Sequence, residues 1–225
     1  MDTINDVLNE VYKVYNQTAS APDYSSDDWA VYVSYANRSL AKWENKPEVD
    51  WKELVVQGYS LTLVNGQVTL PANFKEPLSY LTIGTNRYHY VIPERYEEYV
   101  LQNNGNYYYT ITGVKGAKTL VTQPNAGNVT GLIDYKKYAN TYSTGQETAE
   151  LEMKNPDFLF HDVMAQIYTM DENILQAQVE FQIADAQLNE MAVNNEKNPY
   201  NNESVINDDD FIGFGSGTIQ SQNNF

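Results

Sequence analysis

The sequence predicts an α+β fold: a helical bundle built from the N-terminal and C-terminal helices, an inserted small antiparallel β module, and an extended C-terminal arm. Apolar residues recur at helical spacing near both ends of the chain, whereas apolar and polar residues alternate through its middle. The final segment is rich in Asn, Asp, Ser and Gly and can form almost no core. We therefore expect a helical body (residues 1–50 and 155–193), a β-rich module (54–142), a polar connector (143–154) and an extended or disordered arm (194–225).

Two helices are predicted near the N-terminus. The first runs from about Asp2 to Asn16, because Ile4, Val7, Leu8, Val11 and Val14 fall on one helical face. Ser26 is a suitable N-cap for the second, and the carboxylates that follow it meet the positive end of the helix. The second helix should end near Asn45, before Lys46-Pro47, and its apolar face comprises Trp29, Val33, Ala36, Leu40 and Trp43.

The middle of the chain predicts strands. Asn65-Gly66 is typical of a two-residue type I′ turn, which would pair Leu63 with Val68 and Leu61 with Leu70. The segment from Pro93 to Leu101 fits either a short helix or an irregular crossing. Further strands are expected at Leu78–Thr82 and Tyr88–Ile92, joined near Gly84-Thr85-Asn86, and at Leu132–Tyr135. Tyr107–Thr112 and Thr119–Thr122 are expected to form another hairpin, through Gly113 to Lys118.

A heptad pattern marks the C-terminal helical region, which Pro156 opens. It predicts one long helix, or two helices in line that break near Thr169–Asp171, with a narrow apolar seam covered by other helices. Ala177 and Ala184 continue the seam, whose larger members are Val163, Ile167, Met170, Ile174, Phe181, Leu188 and Met191.

The net charge of −16 argues against a nucleic-acid-binding protein, because neutralising phosphates requires a clustered basic face. An acidic surface would suit a wall past which DNA slides without sticking. The absence of cysteine excludes disulfides and thiolate sites. The N-terminus lacks the features of a signal peptide, so we expect folding in a cytoplasm.

The sequence offers little for catalysis or for cofactors. His89 and His161 lack the neighbouring ligands of a metal site, and the Gly213–Gly217 repeat has no flanking strand and helix that would make it a phosphate loop. Asp208–Asp210 lack the interleaved spacing of a calcium loop. We therefore expect no enzyme activity, no catalytic residue, no metal and no cofactor.

Two alternatives stay open at this point. Glu94, Glu97 and Glu98 lie together with Tyr96 and Tyr99, which could stack on sugar, so one alternative is a peptidoglycan hydrolase of the virion. It would use Glu97 or Glu98 with another acid from a separate segment, because adjacent carboxylates on a helix diverge by about 100°. The nineteen tyrosines would also fit a stand-alone binding module with a Tyr-rich surface.

With these elements in order, the chain resembles the head–tail adaptor proteins of tailed bacteriophages, especially those of short-tailed phages. The resemblance covers about residues 26–191 and depends on the order and spacing of short motifs. They are Ser26-x-x-Trp29 with a helix end at Trp43, Leu70-Pro71-Ala72-Asn73-Phe74, Tyr109-Thr110-Ile111-Thr112-Gly113 with Leu120, Pro124 and Ile133-Asp134-Tyr135, and Asn155-Pro156-Asp157-Phe158-Leu159 with Leu188-x-x-Met191.

The resemblance implies a structural virion protein rather than an enzyme. Such proteins form a ring, commonly dodecameric, beneath the portal; they extend the DNA channel and offer a platform for downstream tail or ring proteins. DNA would pass through the lumen without specific binding, and the protein, made in the bacterial host cytoplasm, would reside at the head–tail junction of the virion.

The arm is the expected portal contact. Its Phe211-Ile212-Gly213-Phe214 segment is too apolar for a solvated linker and would fill a groove of the partner. The acidic run beside it would set the register against a basic patch. The portal-contact candidates are Phe211, Ile212, Phe214, Phe225, Asp208, Asp209 and Asp210.

Overall fold

The described part of the chain contains five α-helices and eight β-strands. The structure, a computed structural model, describes residues 3–102, 105–146 and 149–196. The helices are Ile4–Tyr15 (α1), Asp27–Glu44 (α2), Pro93–Gln102 (α3), Pro156–Met170 (α4) and Ile174–Glu196 (α5). The strands are Val55–Leu63 (β1), Gln67–Thr69 (β2), Phe74–Pro77 (β3), Leu81–Ile83 (β4), Asn86–Tyr90 (β5), Tyr108–Val114 (β6), Ala117–Gln123 (β7) and Val129–Lys137 (β8).

The described chain divides into two units. We call residues 3–57, 71–76 and 135–196 the helical unit, which contains α1, α2, α4 and α5. We call residues 58–70 and 77–134 the β unit, which contains α3 and most of the strand residues. The chain passes from one unit to the other within β1, before β3, at the last residue of β3 and within β8.

Side-chain caps begin the first two helices of the helical unit, and the cap at Ser26 is the predicted one. Thr3 and Asp6 make a capping box at the start of α1, and the hydroxyl of Ser26 accepts a hydrogen bond from the amide of Trp29 at 3.1 Å. Trp43 and Trp51 are fully buried with their ring centroids 5.5 Å apart. One apolar cluster thus joins α1, α2, α4, α5 and the segment after α2.

The predicted fold class is wrong in its architecture. The strands form one eight-stranded sheet in the order β1-β8-β4-β5-β6-β7-β2, with β3 also paired to β8, rather than a small antiparallel module inserted in a helical bundle. β1 and β8, the first and last of the described strands, are neighbours, which no local pattern reveals. β5 and β6 are parallel, with His89 opposite Tyr108, and α3 supplies the crossover that a parallel pair requires.

The predicted Asn65-Gly66 hairpin is only partly confirmed. Both residues have positive φ (52° and 72°), and Val64 bridges Gln67 across the turn. Beyond the turn, however, Val68 pairs with Leu120 of β7 and not with Leu63. Hydrogen bonds from outside the hairpin hold the turn; Gly66 N, for example, donates to Gly127 O at 2.8 Å. β2 therefore separates from β1 directly after the turn.

Candidate assembly surfaces

The C-terminal helices form an antiparallel hairpin, so the predicted arrangement of one helix or two in line is wrong. Asp171 caps the end of α4, and Glu172 reverses the chain with a φ of 59°. Asn155 Nδ2 then donates to Gln187 Oε1 at 2.9 Å, and His161 Nδ1 lies 2.6 Å from Glu180 Oε2. The N-cap of α4 therefore meets the second half of α5, while His161, further along α4, meets the first half.

The seam residues are divided by this reversal. Val163, Ile167 and Leu188 are buried, and Phe181 and Met191 are half-buried. By contrast, Met170 and Ile174 beside the turn are 69% and 53% exposed. The two halves of the seam therefore pack within the hairpin and against α1 and α2, while its central residues lie at an open tip.

A buried carboxylate joins three helices of the helical unit. Asp162, 3% exposed, accepts hydrogen bonds from Ser39 Oγ at 2.7 Å, Gln166 Nε2 at 3.1 Å and Lys42 Nζ at 2.8 Å. Lys42 Nζ also lies 2.9 Å from Asp185 of α5. Burial alone would lower the pKa of Lys42, but its hydrogen bonds to the two carboxylates outweigh burial and raise that pKa.

Hydrogen bonds hold the C-terminal end of α5 in the helical unit. Asn195, 4% exposed, accepts from the amide of Lys52 at 3.1 Å and donates to the carbonyl of Asp50 at 2.6 Å. A cavity of about 170 Å³ beside it is lined by residues that include Trp51 and Met191. The portal-contact candidates lie outside the described residues: Phe211, Ile212, Phe214, Phe225, Asp208, Asp209 and Asp210.

The carboxylates of the hydrolase alternative are not arranged as a facing pair. Glu94, Glu97 and Glu98 are exposed along α3. Tyr99 is buried with its ring edge against Tyr108, so it is not free to stack on a sugar. Of the two tyrosines in this alternative, Tyr99 therefore offers no open face to a sugar.

The two histidines have structural surroundings. His161 contacts Glu180 across the helical hairpin, as described above. His89 lies in β5 against the ring of Tyr80, and burial lowers its pKa. Within residues 3–102, 105–146 and 149–196, no group of three or more His, Cys, Asp or Glu side chains is placed to hold a metal ion.

Many of the tyrosines belong to the cores. The buried ones are Tyr32, Tyr35, Tyr88, Tyr99, Tyr108, Tyr109, Tyr135 and Tyr142. Burial raises the pKa of half-buried Tyr96 to about 12. Packing in the cores thus accounts for eight of the nineteen tyrosines.

Tyr109 should make the stability of the protein fall at alkaline pH. Its buried hydroxyl donates to Ser79 O at 2.9 Å, and burial raises its pKa well above the ordinary value. The neutral form is required for folding, so this stability is intact below about pH 10 and is lost as pH rises further, at roughly 1.4 kcal/mol per pH unit. Urea titrations between pH 9 and about 11 should show a shallower decline for Tyr109→Phe than for the wild type. Equal slopes would contradict the prediction.

The sequence reasoning missed an exposed apolar surface on α5. Leu175, Val179 and Val193 are 78%, 50% and 57% exposed, Ala186 is exposed, and Ile183 is half-buried between them. Their spacings of four, four, three and seven follow one helical face. We call these five residues the outer stripe. The sequence contains the spacing of the outer stripe. The heptad seam on the same helix is the stronger pattern, so the sequence alone does not mark the stripe as a separate surface.

No helix in the described ranges has the length and apolar character needed to span a membrane.

The comparisons with known proteins identify the family. Residues 3–205 match the family model described as SU10 adaptor protein. A search among curated proteins gave no match. The match covers both described units and most of the sequence, and it agrees with the resemblance to head–tail adaptors. The chain therefore belongs to the SU10 adaptor protein family, whose members are structural proteins of phages.

Proposed function

We propose that this adaptor is a virion connector: a ring of copies, dodecameric as in the proteins that it resembles, which docks beneath the portal, lengthens the DNA channel and receives downstream tail or ring proteins. The family supports a phage structural role. The observation that best supports the proposal is the fixed C-terminal end of α5, where Asn195 is hydrogen-bonded to Asp50 and Lys52. The arm would leave the helical unit from this point. An arm leaving from a fixed point can reach a partner with its geometry defined.

The charge of the C-terminal hairpin supports passage of DNA without capture. Residues 156–196 contain eight Asp or Glu residues and no Lys or Arg. A surface of this composition repels phosphates at low salt, so a channel lined by it would not retain the genome. DNA would pass through the lumen without specific binding.

The arm is the proposed portal contact. Phe211, Ile212, Phe214 and Phe225 would bury apolar surface in the portal, and Asp208–Asp210 would meet basic side chains there. The arm has too little apolar surface to offset a backbone ordering cost of roughly 1–2 kcal/mol per residue without a partner. Its order would therefore be gained on docking.

A truncation after Asn198 tests the proposal. We expect unchanged folding, because Asn195 and its partners remain, together with loss of co-sedimentation with purified portal rings of the same phage. A matched full-length variant, Phe211→Ser with Phe214→Ser, should also lose docking, whereas Gln220→Ser should not. Negative-stain images should show adaptor density on portals for the wild type only.

Three outcomes would overturn the proposal. One is a truncated protein that still docks with unchanged affinity. Another is a truncated protein that unfolds but binds when folded, which would place the arm in the core. Peptidoglycan clearing that Glu97→Gln or Glu98→Gln abolishes would instead favour the hydrolase alternative.

A further inference from the structure

The outer stripe gives α5 two opposite apolar faces. Ala184, which is fully buried, follows Leu175 by two and a half helical turns, so the two residues lie on opposite sides of the helix. The buried side packs within the helical unit. The other side keeps four exposed aliphatic residues and half-buried Ile183 in one line along most of the helix. Single exposed apolar residues are ordinary, but a continuous line of them indicates a partner.

A groove with complementary features lies beside α2 in the same helical unit. Its lining includes the exposed small side chains of Ala30, Ser34 and Ala41 and the exposed side chain of Arg38. Its open volume is about 490 Å³. Small residues on a helix allow another helix to approach closely, and the larger aliphatic side chains of the outer stripe would fill the space.

The far wall of this groove is held in place. Asn37 Nδ2 donates to Tyr142 O at 2.8 Å, and Tyr142 N donates to Asn37 Oδ1 at 2.8 Å. Tyr142 Oη also donates to Glu150 O at 2.8 Å. The loop at 142–144 is thereby fixed to α2, and the groove exists before any partner arrives.

The two surfaces of one copy cannot meet each other. Lys42 on α2 contacts Asp185 of α5, and Ala41 is turned from Lys42 by about 100° around the helix. Ala41 and Ser34 therefore lie to one side of the α5 contact on α2, with Arg38 between them and Lys42, while the outer stripe lies on the side of α5 opposite its buried face. A heterologous contact that closes into a ring requires two complementary surfaces that face different directions on the same subunit.

Charge favours the same pairing. The α4–α5 hairpin contains Asp and Glu residues but no Lys or Arg. Glu190 and Asp185 lie on the exposed surface of α5. Arg38 is the exposed cation of the groove. An acidic helix meets this cation when it enters the α2 groove, whereas two outer stripes facing each other would bring like charges together.

We infer that the outer stripe of one copy packs into the α2 groove of a second copy of this chain, and that this contact joins neighbouring subunits. The inference rests on the proposed ring and names the surfaces that would build it. The side chains that insert would be those of Leu175, Val179 and Ile183. They would pack against Ala30, Ser34 and Ala41 of the neighbouring copy.

Single cysteines can test this contact because the chain has none of its own. Val179→Cys and Ser34→Cys proteins, one of them carrying a mass tag, would be mixed at high concentration with a short bismaleimide, with and without purified portal rings. We expect tagged–untagged dimers from the mixture and at least tenfold fewer dimers from either protein alone. Glu97→Cys on α3, mixed with Ser34→Cys, is the matched control and should give background dimers only.

Every other result overturns the inference. Abundant dimers from Val179→Cys alone would mean that stripes pair with each other. Background dimers in both conditions would mean that copies do not meet at these surfaces, even if portal docking persists. Val179→Cys that is protected from maleimide in the monomer, but is labelled after truncation at Asn198, would identify the chain's own arm as the occupant.

Charge variants give an independent readout of the same contact. Val179→Asp should weaken self-association, measured by sedimentation, at least tenfold, whereas Gln178→Glu on the neighbouring face should change it less than twofold. Arg38→Glu should weaken it and Arg38→Lys should preserve it. Tryptophan fluorescence checks that each variant is folded. Portal docking through the arm, measured separately, distinguishes failure of this contact from failure of the proposed function.

Discussion

Replacing Asp162 with Ala should destabilise the helical unit by about 3 kcal/mol, because the change removes the shared acceptor of a buried polar cluster. Ser39 is fully buried, and Gln166 lies beside Asp162 on α4. Ser39 would lose a charged acceptor at a fully buried position, and Gln166 would lose one at a half-buried position. Lys42 limits the loss, since its ammonium is partly exposed and keeps Asp185.

Asp185→Ala is the matched control, because it removes the other carboxylate that Lys42 contacts. The Asp185 side chain is 60% exposed, so we expect a loss of less than about 1 kcal/mol. All three tryptophans (Trp29, Trp43 and Trp51) lie in the helical unit, so their fluorescence in a urea titration reports its unfolding. Equal losses for the two variants would show that Asp162 acts only through its pair with Lys42.

Local signals in the sequence predicted the ends of helices well. Ser26 caps α2, Asn45 ends it, and Pro156 opens α4. Each of these effects depends on residues within one helical turn, where capping and backbone restriction act. The β4–β5 and β6–β7 pairs were predicted for the same reason, because a short turn fixes which residues meet.

The pairings between distant segments could not be predicted. β1 and β8 are separated by most of the β region, and the stretch that follows the Asn65-Gly66 turn pairs with β7 because loop residues near Gly127 hold the turn. Such contacts depend on the energy of the assembled sheet rather than on any local preference. The inserted-module interpretation therefore underestimated the sheet.

The α4–α5 hairpin shows the same limit within the candidate surfaces. The heptad spacing predicts that a seam must be covered, but not whether its second half lies in line with the first or folds back on it. The reversal at Glu172 decides this, and it leaves Met170 and Ile174 at the tip. Only after the inner face of α5 is known does the outer stripe become visible as a separate surface.

The internal contacts of the helical unit bear on function because they hold its exposed surfaces in place. Its buried polar cluster fixes α4 and α5 on α2, and the contacts of Asn195 fix the C-terminal end of α5. The exposed surfaces on α5 and α2 are therefore held in a defined relation inside one unit. A ring needs such rigidity, because a small angular error repeated around the ring prevents closure.

Gly113→Ala should destabilise the β6–β7 hairpin by about 3 kcal/mol, since it adds both backbone strain and a clash. Gly113 has a φ of +105°, and a Cβ placed there would lie 2.4 Å from the carbonyl oxygen of Ala117 and 3.2 Å from Lys118 Cα. These are backbone atoms of the paired strand, and they cannot rotate aside as a side chain would. The hairpin would have to open or shift its register, which pairs Gly113 with Lys118.

Gly116→Ala, at the turn of the same hairpin, separates strain from clash. Its φ is +83°, but no atom lies within 4 Å of the added Cβ, so we expect a loss of only about 1–2 kcal/mol. Hydrogen exchange of the amides of paired Ile111 and Leu120 should accelerate about 100-fold in Gly113→Ala and clearly less in Gly116→Ala. If both variants exchange alike, the close approach to Ala117 does not constrain position 113, and the positive φ alone explains the glycine.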